Sequence, residues 1–157
     1  MNTVQTETQI HQAPGWLVLQ LGRLDFAIPK KDAKFISLIA ALDTKNHESV
    51  QVGRLKYNDR EWPVYNINHR MELDSELPEQ RRFCILLSHQ NNMIGLVCDQ
   101  ITMLAADDDL MLQDIPDFSI QENSPLRRMG QYMEKMISAS APGELAFYLS
   151  ELEVAHA

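Results

Sequence analysis

The stretch FCILLSHQNNMIGLVC, residues 83–98, decides the fold class of this sequence. Two apolar runs flank the polar loop Ser88-His-Gln-Asn-Asn92, and this pattern is typical of a β-hairpin. Cys84 and Cys98 lie on the two arms, and an odd or even loop count decides whether they oppose each other or point to opposite faces. Both cysteines are interpreted as small buried side chains and not as a disulfide or a reactive pair.

A second hairpin is predicted close to the beginning of the chain. The run Trp16–Leu21 is strand-like, Gly22-Arg23 forms a tight turn, and Leu24–Ile28 alternates in hydropathy. Two such runs around a glycine turn predict an antiparallel pair of strands that ends at Pro29.

The segment after this hairpin has a different period. Phe35, Leu38, Ile39 and Leu42 follow the spacing i, i+3, i+4, i+7. Because this spacing places the four apolar side chains on one stripe, the sequence predicts an amphipathic helix over residues 30–43.

A strand pair and an exposed connector are predicted in the middle of the chain. An alternating stretch over 50–55, a turn at Asn58-Asp59 and a returning run Trp62–Ile67 indicate the strand pair. Pro63 has no backbone N–H, which places the returning strand on an edge or at a bulge. The charged segment 69–82 is interpreted as an exposed connector and as the best place to divide the chain into two lobes.

The last third of the chain carries two competing patterns. Ile101–Leu104 is interpreted as an extension of the 83–98 hairpin past a bulge. Further on, the strand-like run Leu145–Leu149 needs a partner, which a strand within 132–139 would supply. Against a strand there, a helical spacing joins Leu126, Met129, Met133 and Met136.

Size and charge narrow the classes of function. The chain has 157 residues, 45% of them hydrophobic, which suits one domain or two small lobes that share a core. A formal net charge of −8 without a basic stretch argues against nucleic acid and against anionic lipid surfaces as partners. No apolar run approaches the ~20 residues of a transmembrane helix. The polar residues 1–14 are expected to be a flexible lead and not a secretory signal, which implies a cytoplasmic location.

The sequence lacks patterns of catalysis and metal binding. It has no phosphate-binding glycine loop, dinucleotide fingerprint or nucleophile elbow, and its five histidines are scattered. Asp107-Asp108-Asp109 lacks the glycine and the further ligands of a calcium loop, so it is interpreted as a solvated acidic turn. We therefore expect a β-rich binding module with no catalytic residues, no cofactor and no metal.

Several segments stand in an order and spacing that a known family shares. The most specific is Ile94-Gly-Leu-Val-Cys-Asp99, which matches a Val-Gly-Leu-Val-Val-Asp stretch. The others are Leu17–Pro29 with Lys30–Ile36 after it, Gly53 with Trp62–Ile67, Leu112–Phe118 and Leu145–Leu152. Together they resemble the CheW family of chemotaxis coupling proteins over residues 15–155.

This resemblance implies a mainly β fold. Two small five-stranded barrels, similar to Src-homology-3 domains, would share a core and carry short helices. Residues 15–155 would form a single domain with its lobes divided near 69–82. A helical turn followed by a strand would occupy 124–139, with Tyr132–Ala139 paired to Leu145–Leu149.

The resemblance also implies a function. The chain would be a non-enzymatic adaptor that couples methyl-accepting chemoreceptors to a CheA-type histidine kinase, in chemotaxis or type IV pilus motility. It would act as a monomer in the cytoplasm, without nucleic acid and without insertion into the membrane. The alternative is a divergent scaffold that binds another signalling protein, or itself, outside receptor arrays.

The chain departs from the family pattern at a turn. Lys56-Tyr57-Asn58-Asp59 stands where the family has Asn-Leu-Arg-Gly. Asn58 therefore replaces an arginine that would bring a fixed cationic fork to a partner. The turn also fits a plain solvated turn.

Other departures lie elsewhere in the chain. Asn66 and Ser150 replace aspartates, and Met136 replaces a glycine. Ala33 and Phe35 replace a valine and a glutamate, although Phe35 fits core packing as well as contact. These departures predict a kept core and a changed binding surface. The candidate partner-binding residues are Ala33, Phe35, Ile36, Lys56, Tyr57, Asn58 and Asp59.

Overall fold

The computed structural model describes most of the chain between residues 15 and 139. The described residues are 15–45, 50–68, 70, 72–89, 92–104, 113–114, 128–132 and 135–139. The predicted lead over 1–14, the acidic turn at 107–109 and the run 145–149 lie outside them. The strands are β1 Trp16–Leu21, β2 Leu24–Pro29, β3 Ala33–Leu38, β4 Gly53–Tyr57, β5 Arg60–Tyr65, β6 Phe83–His89, β7 Asn92–Cys98, β8 Gln100–Leu104, β9 Gln113–Asp114, β10 Arg128–Tyr132 and β11 Lys135–Ala139.

The strands form two mixed sheets. One has six strands in the order β8-β1-β2-β11-β10-β9, and the other has five in the order β3-β6-β7-β5-β4. Each sheet is antiparallel except for one parallel pair, β11 with β2 and β5 with β7. The predicted mainly β fold is therefore confirmed, with six strands in the first sheet because the two-residue strand β9 joins its edge.

The five consecutive strands β3–β7 make up the whole five-stranded sheet. The chain leaves the six-stranded sheet through the 3-10 helix Lys30–Asp32 and returns to it at Asp99. Segment 69–82 connects β5 to β6 within one sheet. The prediction that Ile101–Leu104 extends the 83–98 hairpin is wrong, because β8 pairs with β1 in the other sheet.

Both predicted hairpins are confirmed, and their alternating side chains define three hydrophobic clusters. β1 pairs with β2 and β6 pairs with β7 along their full lengths. The central cluster lies between the sheets and contains Leu17, Leu19, Leu21, Phe26, Ile28, Ala33, Val50, Tyr65, Ile67, Ile85, Leu87, Ile94, Leu96 and Cys98. The inner cluster of the five-stranded sheet contains Leu42, Val52, Leu55, Trp62, Val64, Cys84, Leu86 and Val97. The cluster on the outer side of the six-stranded sheet contains Val18, Ala27, Leu104, Ile137 and Ala139.

The two cysteines lie on opposite faces of the β6–β7 hairpin. Cys84 pairs with Val97, and Phe83 pairs with Cys98. Neighbouring cross-strand pairs point to opposite sides of a sheet. Cys84 therefore faces the inner cluster and Cys98 the central cluster, and both are free and buried as predicted.

The helix predicted over residues 30–43 is wrong. This segment consists of the 3-10 helix Lys30–Asp32, the strand β3 and a second 3-10 helix, Ile39–Ala41. β3 pairs with β6, and this long-range pairing overrides the local helical period. Three of the four periodic residues still share the inner cluster, whereas Leu38 is 63% exposed.

The turn predicted at Asn58-Asp59 is confirmed. Tyr57 pairs with Arg60, so two residues connect β4 and β5. Asn58 has φ 51° and Asp59 has φ 61°, which is the left-handed backbone of a type I′ hairpin turn. Asn and Asp tolerate this conformation better than other side chains, and the hairpin forms for that reason.

Pro63 lies in an interior strand, so the predicted edge position is wrong. β5 lies between β7 and β4. Counting from the closing pair Tyr57–Arg60, the pair Arg54–Pro63 falls at a position without hydrogen bonds to β4. On the other side, β5 pairs with β7 only from Val64 onward. The ladder therefore does not require the N–H that proline lacks.

The helical spacing at the C-terminal end is also wrong where the structure describes it. Arg128–Tyr132 is the strand β10, and it forms an antiparallel hairpin with β11. The predicted strand within 132–139 is confirmed as β11, Lys135–Ala139. Its second partner is β2, in parallel register.

Candidate partner-binding surface

The end of the β4–β5 hairpin carries four of the candidate residues. Lys56, Asn58 and Asp59 are exposed, and Tyr57 is half-buried. The type I′ turn fixes the backbone that presents them. We call these four residues the hairpin tip.

Aromatic side chains connect the hairpin tip to β3. The rings of Phe35 and Tyr57 are stacked, with centroids 4.6 Å apart and planes at 19°. Tyr57 also contacts Trp62 edge-on at 6.4 Å. Each aromatic pair of this geometry stabilises by about 0.5–1.5 kcal/mol beyond its buried area. Since β3 and β4 are the two edges of the five-stranded sheet, the stack holds these edges together.

The other two candidate residues lie apart from the hairpin tip. Ala33 has no exposed surface and belongs to the central cluster. Ile36 is half-buried and packs against the same cluster. Neither side chain lies on the face of Phe35. A register shift between Ala33 and Phe35 turns Ala33 to the other side of β3, and Ile36, the residue next to Phe35, faces that side by the ordinary alternation of a strand. Ala33 is therefore unavailable as a surface contact.

A cleft of about 380 Å³ lies beside the hairpin tip. Its walls are formed by Lys34, Tyr57, Asn58, Arg60, Trp62, Ser88 and Met93. Lys34 comes from β3, while Ser88 and Met93 face each other on β6 and β7. The cleft is therefore lined by residues from all five strands of the five-stranded sheet.

No pattern in the sequence indicated Lys34, Arg60, Ser88 or Met93 as parts of a site. Arg60 was within reach of the sequence, because a two-residue turn at Asn58-Asp59 places it opposite Tyr57. The remaining residues come together only through the pairing of β3 with β6 and of β5 with β7. A local pattern does not report pairings between distant strands.

The cleft is positively charged. Lys34 and Arg60 are among its lining residues, and no lining residue is acidic. The guanidinium of Arg60 donates a hydrogen bond to the thioether sulfur of Met93, Nη1 to Sδ 3.6 Å. A thioether is a weak acceptor, so most of the hydrogen-bonding capacity of Arg60 is left for another group.

Trp62 forms part of the cleft wall and is 6% exposed. Its indole Nε1 is buried and has no acceptor among the residues that the structure describes. A buried donor without a partner costs about 1–3 kcal/mol. Trp62 therefore carries a buried, unpaired donor in the wall beside the cleft.

A network of polar side chains lies in the interior, apart from the cleft. The guanidinium of Arg81 forms an ion pair with Asp99, and its Nε donates to Asn66 Oδ1 at 3.0 Å. Asn66 Nδ2 donates to the carbonyl of Glu76 at 2.9 Å. Asp99 Oδ2 accepts from the N–H of Gly22 at 3.0 Å. This network connects the β1–β2 turn, the end of β5 and the β7–β8 junction.

The network corrects one expectation from the sequence. Asn66 was placed among changed surface positions, yet it is 1% exposed. Its amide both donates and accepts, which a carboxylate does not. Its place in the chain is therefore explained by internal hydrogen bonds.

The thiols have no features of a reactive site. Burial raises the pKa of Cys84 to about 12. Burial first, and then the nearby Cys84 and Asp99, raise the pKa of Cys98 to about 12. A thiol with such a pKa carries almost no nucleophilic thiolate at neutral pH. Within the described ranges no cluster of three or more His, Cys, Asp or Glu residues is arranged to hold a metal ion, and no helix is long and apolar enough to cross a membrane.

Comparison with known proteins identifies the fold. No model of a known protein family matches the sequence, and no curated protein matches it. Among solved structures, the chain is similar to the scaffolding protein TtCheW from Thermoanaerobacter tengcongensis. The TM-score is 0.61 and the sequence identity 13%, over 82% of this chain and 88% of that chain. The chain therefore has a CheW-like fold with two barrel-like lobes, as the order of its segments predicted.

Proposed function

We propose that this chain is a non-enzymatic adaptor of a bacterial chemosensory system. It couples methyl-accepting chemoreceptors to a CheA-type histidine kinase, in chemotaxis or in type IV pilus motility. The observation that carries the proposal is the CheW-like fold, since the similarity to the solved scaffolding protein TtCheW extends over 82% of this chain. As an adaptor, the chain works in the cytoplasm as a monomer.

The hairpin tip supports this proposal as a docking surface. Lys56, Asn58 and Asp59 are exposed, and the turn that presents them has one defined backbone conformation. The stack of Phe35 on Tyr57 attaches this turn to β3. A preorganised surface loses little conformational entropy when it binds.

The chemistry of the described residues supports a binding role more than a catalytic one. The two thiols are buried and have strongly raised pKa values. The Arg81–Asp99 ion pair holds elements together and is nearly covered, with side chains 7% and 15% exposed. Its position suits a structural role.

Affinity capture tests the proposal. The purified chain is immobilised, incubated with lysate of its own cells, and the bound proteins are identified by mass spectrometry. We expect recovery of a chemotaxis-type histidine kinase, a methyl-accepting receptor or both. Recovery of neither would contradict the adaptor function.

The second candidate function is a divergent scaffold outside receptor arrays. The observation that favours it is the exposed Asn58 at the position where the family resemblance places an arginine. Replacing a charged fork by an amide changes which partners a surface selects. Enrichment of a different signalling protein, or of a second copy of this chain, would support this candidate over the first.

A further inference from the structure

We propose that the cleft beside the hairpin tip receives a carboxylate side chain from an acidic segment of the partner protein. The inference rests on the proposed function, since it takes the hairpin tip to be the docking surface. It adds the chemistry of the partner: a Glu or Asp side chain next to an apolar residue.

Arg60 is the residue that recognises the carboxylate. It shares a sheet face with Tyr57 and Trp62, because cross-strand partners and alternate residues point to the same side. Its guanidinium is exposed and contacts the weak acceptor Met93 Sδ. A guanidinium binds a carboxylate through two parallel hydrogen bonds, and this geometry favours a carboxylate over other acceptors.

The neighbouring acidic residues Asp59 and Glu61 do not neutralise the charge of Arg60. Glu61, the next residue, lies on the opposite face of β5 and pairs with Arg54 at 3.2 Å. Asp59 belongs to the turn and not to the cleft wall. Lys34 adds a second cation to the wall. In the part of the chain that the structure describes, Arg60 has no ion-pair partner.

The charge of the whole chain makes this cleft selective. A net charge of −8 repels acidic partners over most of the surface. A positively charged cleft on such a protein fixes where an acidic segment docks and in which orientation. The rings of Tyr57 and Trp62 and the side chain of Met93 supply apolar contact for the residue beside the carboxylate.

Indole resonances report on the cleft directly. The chain has two tryptophans: Trp62 lines the cleft, and Trp16 lies on β1 in the other sheet. The uniformly labelled full chain is titrated with the capped pentapeptide Ala-Glu-Leu-Glu-Ala, and the indole ¹H–¹⁵N signals are followed. We expect a saturable shift of the Trp62 signal and no shift of the Trp16 signal. The same peptide with glutamine in place of glutamate is expected to bind at least about tenfold more weakly, the loss typical of one charge-assisted hydrogen bond.

Variants of the chain separate charge from shape. Arg60→Gln is expected to weaken binding of the glutamate peptide about tenfold or more, with Arg60→Lys in between. Arg23→Gln is the matched control, because Arg23 is exposed at the β1–β2 turn of the other sheet. We expect this control to bind like the original chain. Unchanged positions of the Trp16 signal show that each variant is folded.

Three results would overturn the inference. They are equal binding of the glutamine and glutamate peptides, unchanged binding by Arg60→Gln, or a Trp62 shift with inorganic phosphate that equals the shift with the peptide. The last result would mean a general anion site and not a docking cleft. The titration uses neither kinase nor receptor, so its failure would not contradict the proposed adaptor function. A failed capture experiment, in turn, would not change the result of the titration.

Discussion

A buried arginine contributes to the contact between the two sheets. Arg81 carries a charge in the interior, and its contacts with Asp99 and Asn66 join elements that are far apart in the sequence. Arg81 belongs to the segment 69–82, which was predicted to be an exposed connector because charged, proline-containing segments normally are. No local pattern reports that one arginine of such a segment is buried.

Removal of the Arg81 charge is expected to destabilise the fold strongly. Arg81→Met leaves Asp99 nearly buried without its counter-ion, which costs about 3–5 kcal/mol. The measurement is the urea midpoint of unfolding. Arg54→Met is the control, because the Arg54–Glu61 pair is at the surface, with side chains 34% and 60% exposed, and is expected to cost about 1 kcal/mol or less. Equal losses in the two variants would contradict the buried role of Arg81.

The cysteines provide a second prediction at this scale. Because the folded pKa of each thiol is raised above its ordinary value to about 12, the unfolded chain loses thiol protons first as the pH rises. Their contribution to stability is therefore complete below the unfolded pKa of about 8.5 and decreases as the pH rises towards the folded pKa.

The burial of the two thiols is tested by chemical labelling. We expect both thiols to resist an aromatic disulfide reagent at pH 8 and to react fully in denaturant. Rapid labelling of the native chain would show that one of them is accessible.

Among the elements, the hairpins were predictable and the connections between them were not. The 83–98 and 16–28 hairpins depend on local alternation and turn residues, which are present in the sequence. The 30–43 segment satisfied a helical period, yet its backbone hydrogen bonds go to β6. Three of the four residues of its apolar stripe still contact the inner cluster, and Leu38 does not. The same limit applies to the cleft, whose walls depend on the parallel contact between β5 and β7.

The β4–β5 turn is expected to gain stability from glycine. Asp59 has φ 61°, a conformation that costs a residue with a Cβ atom more than glycine. Asp59→Gly should stabilise the chain by about 0.5–1 kcal/mol, since Asn-Gly is the preferred type I′ pair. Asp59→Ala, measured in the same thermal unfolding experiment, should destabilise it. A stabilising alanine would contradict the left-handed turn.

The parallel contact between β5 and β7 is expected to be weakened by any side chain at Gly95. A Cβ atom on Gly95 would lie 2.9 Å from Val64 Cγ2 and 3.1 Å from Leu86 Cδ2. Gly95→Ala therefore overpacks the sheet and should cost about 1–3 kcal/mol. Thr102→Ala at an exposed position of β8 is the control and should change the urea midpoint little. A neutral Gly95→Ala would mean that these strands separate easily.

For the whole molecule, the order of several segments along the chain predicted the fold better than any single motif did. Secondary-structure patterns alone led to a helix over 30–43 and to an edge or a bulge at Pro63. The helix is wrong, and Pro63 lies in an interior strand that pairs with β4 without a register shift. The resemblance over residues 15–155 nevertheless predicted the two-lobed, mainly β fold. It did so because an arrangement of several short patterns constrains a fold more tightly than each local period. The extent of the domain over 15–155 stays a prediction.

The measurement that tests the adaptor function most directly is the capture experiment performed on three chains in parallel. They are the original chain, a hairpin-tip variant with Lys56→Ala and Asp59→Gly, and the control Arg23→Ala. We predict that the original chain and the control recover a chemotaxis-type kinase or receptor in equal amounts, and that the hairpin-tip variant recovers clearly less. Equal recovery by all three chains would remove the hairpin tip as the contact, and recovery of neither protein by the original chain would contradict the adaptor function itself.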